Sequence, residues 1–138
     1  LPDFARDVLN SKDIVMLSDG SPTRTFCYVA DAVIGYYKIL TNGRNGESYN
    51  IGADTPEISM RELAERVVTK SQELFDYKGK VVFSKSEDEE YLTDNPNRRC
   101  PVISKARKDL NYNPKISLEE GIERTMLWYM DNQEASES

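Results

Sequence analysis

Short runs of β-forming residues alternate along this sequence with longer segments in which apolar residues recur every three or four positions. The runs that favour extended structure are 14–17, 23–29, 47–51 and 80–83. The segments with helical spacing are 1–11, 29–42, 60–75, 104–110 and 118–130. Because strands that alternate with helices pack into layered arrangements, we expect a small mixed α/β domain.

A capping box marks the N-terminus of two of the predicted helices. Ser59 stands three residues before Glu62, and Ser117 stands three residues before Glu120. The serine hydroxyl in such a pair accepts a hydrogen bond from the backbone amide three residues on, which predicts a helix start at each serine. The apolar stripes that follow are expected to face the core. They consist of Met60, Leu63, Ala64, Val67, Val68, Leu74 and Phe75, and of Leu118, Ile122, Met126, Tyr129 and Met130.

Composition excludes several classes of function. The chain has 138 residues, which fits one compact domain, and its net charge of −6 disfavours a nucleic-acid partner. No stretch is long and apolar enough to indicate a membrane helix or a signal peptide, so we expect a cytoplasmic protein. The absence of histidine excludes Ser-His-Asp and Cys-His catalysis, and histidine metal ligands, within this chain. Cys27 and Cys100 match neither a disulfide framework nor a zinc site.

Three segments carry groups that suit an anionic ligand. Arg24 follows a glycine turn, and an arginine there can offer a planar fork to a phosphate. Asn50 lies near the end of the predicted strand 47–51, and Arg98 and Arg99 form a basic pair in an otherwise acidic loop. Each segment alone is also explained by a solvated arginine or a turn-forming asparagine. Together they favour a diphosphate held by a cluster of loops.

Four ordered blocks carry a resemblance that covers nearly the whole chain. They are Asp-Gly-Ser-x-Thr-Arg-Thr-Phe-x-Tyr-Val-x-Asp at 19–31, Tyr-Asn-Ile-Gly at 49–52, Asn-Arg-Arg-x-Pro at 97–101 and Leu-Asn-Tyr-Asn-Pro-Lys-Ile-Ser-Leu-Glu-Glu-Gly-Ile at 110–122. In order and spacing they resemble the C-terminal, substrate-binding part of extended short-chain dehydrogenase/reductases, the NAD-dependent epimerase/dehydratase family. The chain is most similar to UDP-glucuronate decarboxylases, with dTDP-glucose 4,6-dehydratases and UDP-sugar 4-epimerases next. Ser18, Pro22 and Val102 depart from the family's usual residues and leave the reaction open.

The resemblance implies a role for each candidate residue. Arg24, and Arg99 or Arg98, would contact the diphosphate of a nucleotide sugar, most readily a UDP-sugar, with Asn50 in the same pocket. The residues that it places near the base or ribose are Asp3, Phe4 and Tyr28. In the parent enzyme, NAD bound by a Rossmann domain would oxidise the sugar at C4, and decarboxylation, dehydration or epimerisation would precede return of the hydride. The family commonly forms homodimers through Rossmann-domain helices.

Two motifs of that family are missing from this chain. It has no glycine-rich dinucleotide fingerprint, and none of its eight tyrosines is followed by lysine four residues later, as the catalytic Tyr-x-x-x-Lys requires. We therefore expect the chain, whose first residue is Leu1, to be a fragment that binds substrate, has no catalytic residue and is inactive alone. The alternatives are a free-standing binding or interaction module, and an unrelated α/β domain. The polar segment 84–99 is expected to be a functional or mobile loop, and 134–138 a frayed tail.

Overall fold

The computed structural model of the protein describes residues 1–84 and 96–132. In chain order its elements are α1 (Pro2–Leu9), β1 (Ile14–Met16), β2 (Thr23–Thr25), α2 (Val29–Asn42), β3 (Glu57–Ser59), α3 (Met60–Phe75), β4 (Val81–Phe83), β5 (Arg98–Arg99), α4 (Ser104–Leu110) and α5 (Leu118–Asp131). The described residues fall into two compact units. Unit 1 contains 1–22, 59–84, 96–97 and 122–132, and unit 2 contains 23–58 and 98–121. The expected mixed α/β class is confirmed.

Unit 1 is built on the parallel pair of β1 and β4, in which Ile14 is opposite Val81. Helices α1 and α3 pack against each other and supply most of its core. The buried apolar residues of this unit are Phe4, Ala5, Val8, Ile14, Met16, Leu63, Ala64, Val67, Tyr77, Ile122 and Met126. The Tyr77 hydroxyl donates to the carbonyl oxygen of Lys12, which gives the one polar group of this buried ring a partner.

Helix α3 begins where its capping box predicts. The Ser59 hydroxyl accepts a hydrogen bond from the Glu62 amide at 3.1 Å, and the buried residues of the helix include Leu63 and Val67 from the predicted stripe. The turn before β2 is closed by Asp19, whose carboxylate accepts from the Ser21 amide at 2.9 Å. Gly20 in this turn has φ +74°, and a β-carbon there would stand 2.9 Å from Cβ of Arg61. A side chain at position 20 would therefore meet both backbone strain and a clash.

Unit 2 contains a three-stranded sheet in the order β3-β2-β5. Strands β2 and β5 run parallel, with Thr23 opposite Arg98 and Arg24 opposite Arg99. Helices α2 and α4 pack together, around a buried cluster of Ile103, Ala106, Leu110 and Tyr112 that Ile39, Tyr49 and Ile51 extend.

The end of unit 2 is tied to α2 by a buried carboxylate. Asp31, in the first turn of α2, accepts hydrogen bonds from the backbone amides of Lys115 at 2.9 Å and Ile116 at 2.8 Å. Ser117 then caps α5 by accepting from the Glu120 amide at 3.1 Å, as its capping box predicts. Asp31 thus fixes the segment that leads into the last helix.

The strand predicted at 47–51 is wrong. These residues form no strand, and side chains bond to backbone carbonyls in and next to this run. Lys105 donates to the carbonyl of Ser48 at 2.8 Å, and the Tyr112 hydroxyl donates to the carbonyl of Gly52 at 3.1 Å. The sheet instead uses Glu57–Ser59, which the residue pattern did not indicate.

Two further boundaries differ from expectation. Strand β2 ends at Thr25, although the β-forming residues continue to 29, and Val29 is already the first residue of α2. The segment 84–99, expected to be a loop throughout, contains β5 at Arg98–Arg99. Residues 85–95 of that segment and the expected frayed tail at 134–138 lie outside the described residues. Among residues 1–84 and 96–132, no helix combines the length and the apolar character needed to cross a bilayer.

Candidate functional site

The structure brings two of the predicted diphosphate ligands together on one strand pair. Arg24 of β2 and Arg99 of β5 are Cα partners, and neighbouring strands lie about 4.8 Å apart. Registered partners of a parallel pair place their side chains on the same face of the sheet. Two guanidinium-bearing side chains therefore leave one face side by side. Like charges in this position repel, and a ligand with two phosphate groups offers each of them a counter-charge.

Arg98 belongs to the opposite face, where it is held by Glu57 of β3. Its Nε donates to Oε1 of Glu57 at 2.8 Å and its Nη2 donates to Oε2 at 2.7 Å. The Thr23 hydroxyl donates to Oε1 of the same carboxylate at 2.6 Å. One carboxylate thus joins the outer strands of the sheet to each other and to the central strand.

The hydrogen bonds at Glu57 also fix its charge. The hydrogen bonds from Arg98, and to a smaller extent the one from the Thr23 hydroxyl, lower the pKa of the Glu57 carboxyl below its ordinary value. Glu57 in turn raises the pKa of Arg98. Both groups are ionised near neutral pH, so this ion pair is intact under ordinary conditions. Of the two alternatives left open by the sequence, Arg98 is engaged by Glu57 while Arg99 is the registered partner of Arg24.

Arg24 is steered by its own strand. Its Nη1 donates to the carbonyl oxygen of Thr23 at 2.8 Å, and the residue is half-buried. Arg99 is exposed.

Asn50 lies in the segment between α2 and β3 and not at the end of a strand. Its Nδ2 donates to the carbonyl oxygen of Val102 at 3.1 Å, which ties this segment to the residues that follow β5. A second tie is the pair of hydrogen bonds from Arg107 to Asp54, one of which is 2.9 Å from Nη2 to Oδ1. Arg107 lowers the pKa of the Asp54 carboxyl, chiefly through these bonds. Asn50 therefore holds the backbone beside the arginine pair.

The three residues assigned to the base or ribose are distributed over both units. Asp3 and Phe4 are in α1 of unit 1, where Asp3 accepts a hydrogen bond from Arg6 at 2.8 Å and Phe4 is buried. Tyr28 caps the start of α2 in unit 2, and its ring lies against Gly121.

Glu57, Asp54 and Arg107 are neighbours of the candidate site that the sequence pattern did not indicate. Glu57 is two residues before the capping serine of α3, and an isolated glutamate there carries no signal of its partner. Its role depends on a strand pairing that joins residues far apart in the chain.

Unit 1 contains a cleft of about 460 Å³ that none of the candidate residues lines. Its walls come from Val8, Leu9, Ser11, Asp13, Phe75, Asp76, Tyr77, Lys78, Gly79 and Met130. Within 1–84 and 96–132 no three Cys, Asp or Glu side chains are grouped so as to hold a metal ion. Cys27 and Cys100 are free thiols. The pKa of the Cys27 thiol is raised above its ordinary value, chiefly by burial.

The described residues do not fit an NAD site. A dinucleotide is held where a glycine-rich turn joins a strand to the N-terminus of a helix. The tight glycine turn at Gly20 lies between β1 and β2, and Arg61 fills the space beside its Cα.

Comparison with known proteins places these features in a family. The family model described as GDP-mannose 4,6 dehydratase matches residues 2–125. The UDP-glucuronic acid decarboxylase 1 of Arabidopsis thaliana is 36% identical over 121 residues, which cover 88% of this chain and 25% of that protein.

Solved structures show the same fold. An epimerase from Methanothermobacter thermautotrophicus superposes with a TM-score of 0.81 at 32% identity, covering 99% of this chain and 38% of that one. The UDP-glucuronic acid 4-epimerase of Bacillus cereus, solved in complex with UDP-glucuronic acid and NAD, gives a TM-score of 0.76 at 25% identity and covers 94% and 38%. The chain thus spans about a quarter to two fifths of the length of these relatives.

Proposed function

The chain belongs to the GDP-mannose 4,6 dehydratase family, and from this premise we propose that it is the nucleotide-sugar-binding part of an NAD-dependent decarboxylase, dehydratase or epimerase. Its substrate is a UDP-sugar, whose diphosphate is held by Arg24 and Arg99. The proposal extends the resemblance to extended short-chain dehydrogenase/reductases, which the family match supports.

The observation that carries the proposal is the register of β2 and β5. It aligns Arg24 with Arg99 on one face, although the two residues come from distant parts of the sequence. A guanidinium fork binds phosphate oxygens in pairs, so two neighbouring forks match the two phosphates of a nucleoside diphosphate. Arg98 contributes to diphosphate binding only indirectly, because its hydrogen bonds to Glu57 hold it on the other face of the sheet.

In the parent enzyme, this part supplies affinity and orientation. Holding the diphosphate far from the reacting carbon positions the sugar for chemistry performed by other residues. NAD supplies hydride transfer when it is bound by another part of the parent. We expect the chain alone to bind UDP and to catalyse nothing, and the parent to be a homodimer located in the cytoplasm.

The test is UDP binding to this chain, measured by isothermal titration calorimetry. Arg24→Ala and Arg99→Ala are each expected to weaken binding by about 1.5 to 3 kcal/mol, roughly 10- to 150-fold in Kd, the range for hydrogen bonds to a charged group. Arg44→Ala is the matched control, because it removes an exposed arginine of unit 2 that pairs with Asp109 at 3.5 Å. The proposal fails if the control weakens binding as much as the two test variants do.

A second candidate function is an interaction module that self-associates through α2. In this helix the small residue Gly35 and the polar residue Asp31 are buried, whereas a stripe of large apolar residues is exposed. The stripe consists of Val29, Val33, Tyr36, Tyr37 and Leu40, and Leu40 is 80% exposed. Contiguous apolar patches of this kind are rare on monomers and mark interaction surfaces.

Sedimentation velocity over a range of concentrations tests this alternative. A dimer is expected for the unaltered chain, and Tyr37→Glu with Leu40→Glu is expected to give a monomer. Leu17→Glu, an exposed apolar position of unit 1, is the control that should leave association unchanged. A monomer at every concentration would rule out the alternative and leave the UDP-binding proposal untouched.

A further inference from the structure

We infer that Glu57 is a positioning residue for diphosphate binding, acting through the sheet and without contact with the ligand; this inference rests on the proposed function. Glu57 holds β3, β2 and β5 in the register that aligns Arg24 with Arg99.

The geometry gives Glu57 three hydrogen bonds on two other strands. Thr23 on β2 and Arg98 on β5 both donate to its carboxylate, at 2.6 Å for the threonine and at 2.7 and 2.8 Å for the arginine. Thr23 and Arg98 are themselves Cα partners, and each is followed directly by one of the proposed ligands. The Glu57 carboxylate therefore binds both members of the Thr23–Arg98 pair, which is next to the Arg24–Arg99 pair in the two strands.

The strands are so short that their register depends on these side-chain contacts. Strand β5 comprises only Arg98–Arg99, and β2 only Thr23–Thr25, so few backbone hydrogen bonds fix their register. Shifting a strand by one residue moves every side chain to the other face of the sheet. Without the Glu57 contacts, Arg99 would spend part of its time displaced from Arg24, and the two forks would no longer meet one ligand.

The direction in which Glu57→Gln changes UDP binding distinguishes a positioning role of Glu57 from an effect of its charge. Glu57 is an anion, and its removal makes the surroundings of the arginine pair more positive. If Glu57 acted only through its charge, Glu57→Gln would strengthen the binding of UDP. If it acts through register, Glu57→Gln weakens binding, because the amide replaces one of the two oxygens that accept from the Arg98 fork by an NH₂ donor and removes the charge.

The experiment measures Kd for UDP and for UMP by calorimetry on the 138-residue chain and its variants. For Glu57→Gln we expect UDP binding to weaken by about fivefold or more, as contacts within one network give. UMP binding should change less, because one phosphate does not need two aligned forks. Glu47→Gln is the control: it also removes an exposed carboxylate of unit 2, one bonded by Lys105 at 2.6 Å and placed outside the sheet.

A double-mutant cycle then shows whether Glu57 acts through Arg98. The double variant Glu57→Gln with Arg98→Gln is expected to bind UDP no more weakly than Arg98→Gln alone. Circular dichroism and the urea midpoint accompany each titration. If Glu57→Gln unfolds the chain, Thr23→Val, which removes a single hydrogen bond to Glu57, replaces it, with an expected loss of about twofold.

The outcomes distinguish the two proposals. Equal or tighter UDP binding by Glu57→Gln, or an equal loss for UDP and UMP, overturns the positioning role while Arg24→Ala still tests the proposed function. Additive effects in the cycle also overturn it. If the unaltered chain binds no UDP, the proposed function fails and the positioning role fails with it.

Discussion

Arg24 and Arg99 stand opposite each other on parallel strands, aligned by the pairing of two segments that are far apart in the sequence. Arg24 is further oriented by its hydrogen bond to the carbonyl of Thr23. This alignment makes the geometry of the side chain, and not its charge alone, the property to test.

Replacing Arg24 by lysine keeps the charge and removes the fork. We expect Arg24→Lys to weaken UDP binding less than Arg24→Ala but by at least about threefold, because an ammonium cannot bind two phosphate oxygens in parallel. Titration at two salt concentrations checks this result, since the lysine variant should keep the salt dependence of the unaltered chain. Binding equal to that of the unaltered chain would reduce the role of Arg24 to simple charge.

Gly35 on α2 is required by close packing in unit 2. A β-carbon at this position would lie 2.5 Å from Cγ2 of Ile51 and 3.0 Å from Cε2 of Tyr112. Overpacking should exceed the gain in helix propensity, so we expect Gly35→Ala to lower the free energy of unfolding by about 1 to 2 kcal/mol in urea denaturation.

A second helical glycine provides the control for that experiment. A β-carbon at Gly121 would meet Tyr28 only at 3.6 Å, an ordinary contact. Gly121→Ala is therefore expected to be neutral or to stabilise by up to about 1 kcal/mol. Destabilisation of equal size in both variants would contradict the packing argument at Gly35.

The buried carboxylate of Asp31 should make a large contribution to stability. Asp31→Ala leaves the amides of Lys115 and Ile116 without their acceptor, and we expect a loss of about 2 to 3 kcal/mol in the free energy of unfolding. Asp31→Asn keeps one carbonyl acceptor and should cost less. A loss below about 0.5 kcal/mol for alanine would show that water reaches these amides.

The ion pair of Asp54 and Arg107 should make stability depend on pH. Arg107 holds the folded-state pKa of Asp54 below its unfolded value, so the contribution is fully present above the unfolded pKa of about 3.9 and is lost as pH falls from there through the folded pKa. Asp54→Asn lacks this contribution at every pH. We expect the difference in urea midpoint between the two proteins to be constant above about pH 5 and to shrink as pH falls below 4.

An exposed carboxylate of α3 supplies the comparison for the pH series. Glu65→Gln should leave the urea midpoint nearly unchanged at each pH, since Glu65 lies on the solvent side of the helix. A gap for Asp54→Asn that persists undiminished at pH 2.5 would show that the carboxylate stabilises the chain by something other than its charge.

The sequence by itself determined the features that rest on local chemistry and on family motifs. The capping serines Ser59 and Ser117 mark their helix starts, and the apolar spacing of 60–75 identifies a buried face, because both signals act within one or two turns. The resemblance to nucleotide-sugar enzymes of the extended short-chain dehydrogenase/reductase class, carried by four blocks, is confirmed by the family match.

Only the tertiary structure decided which strands pair and which arginine stands beside Arg24. The run 47–51 has β-forming residues but pairs with no strand among the described residues, whereas Arg98–Arg99 has no strand signal and pairs with β2. A strand exists only where another segment supplies its hydrogen bonds, and that segment can lie anywhere in the chain. For the same reason Glu57, whose partners Thr23 and Arg98 are distant in sequence, could be recognised only once the sheet was known.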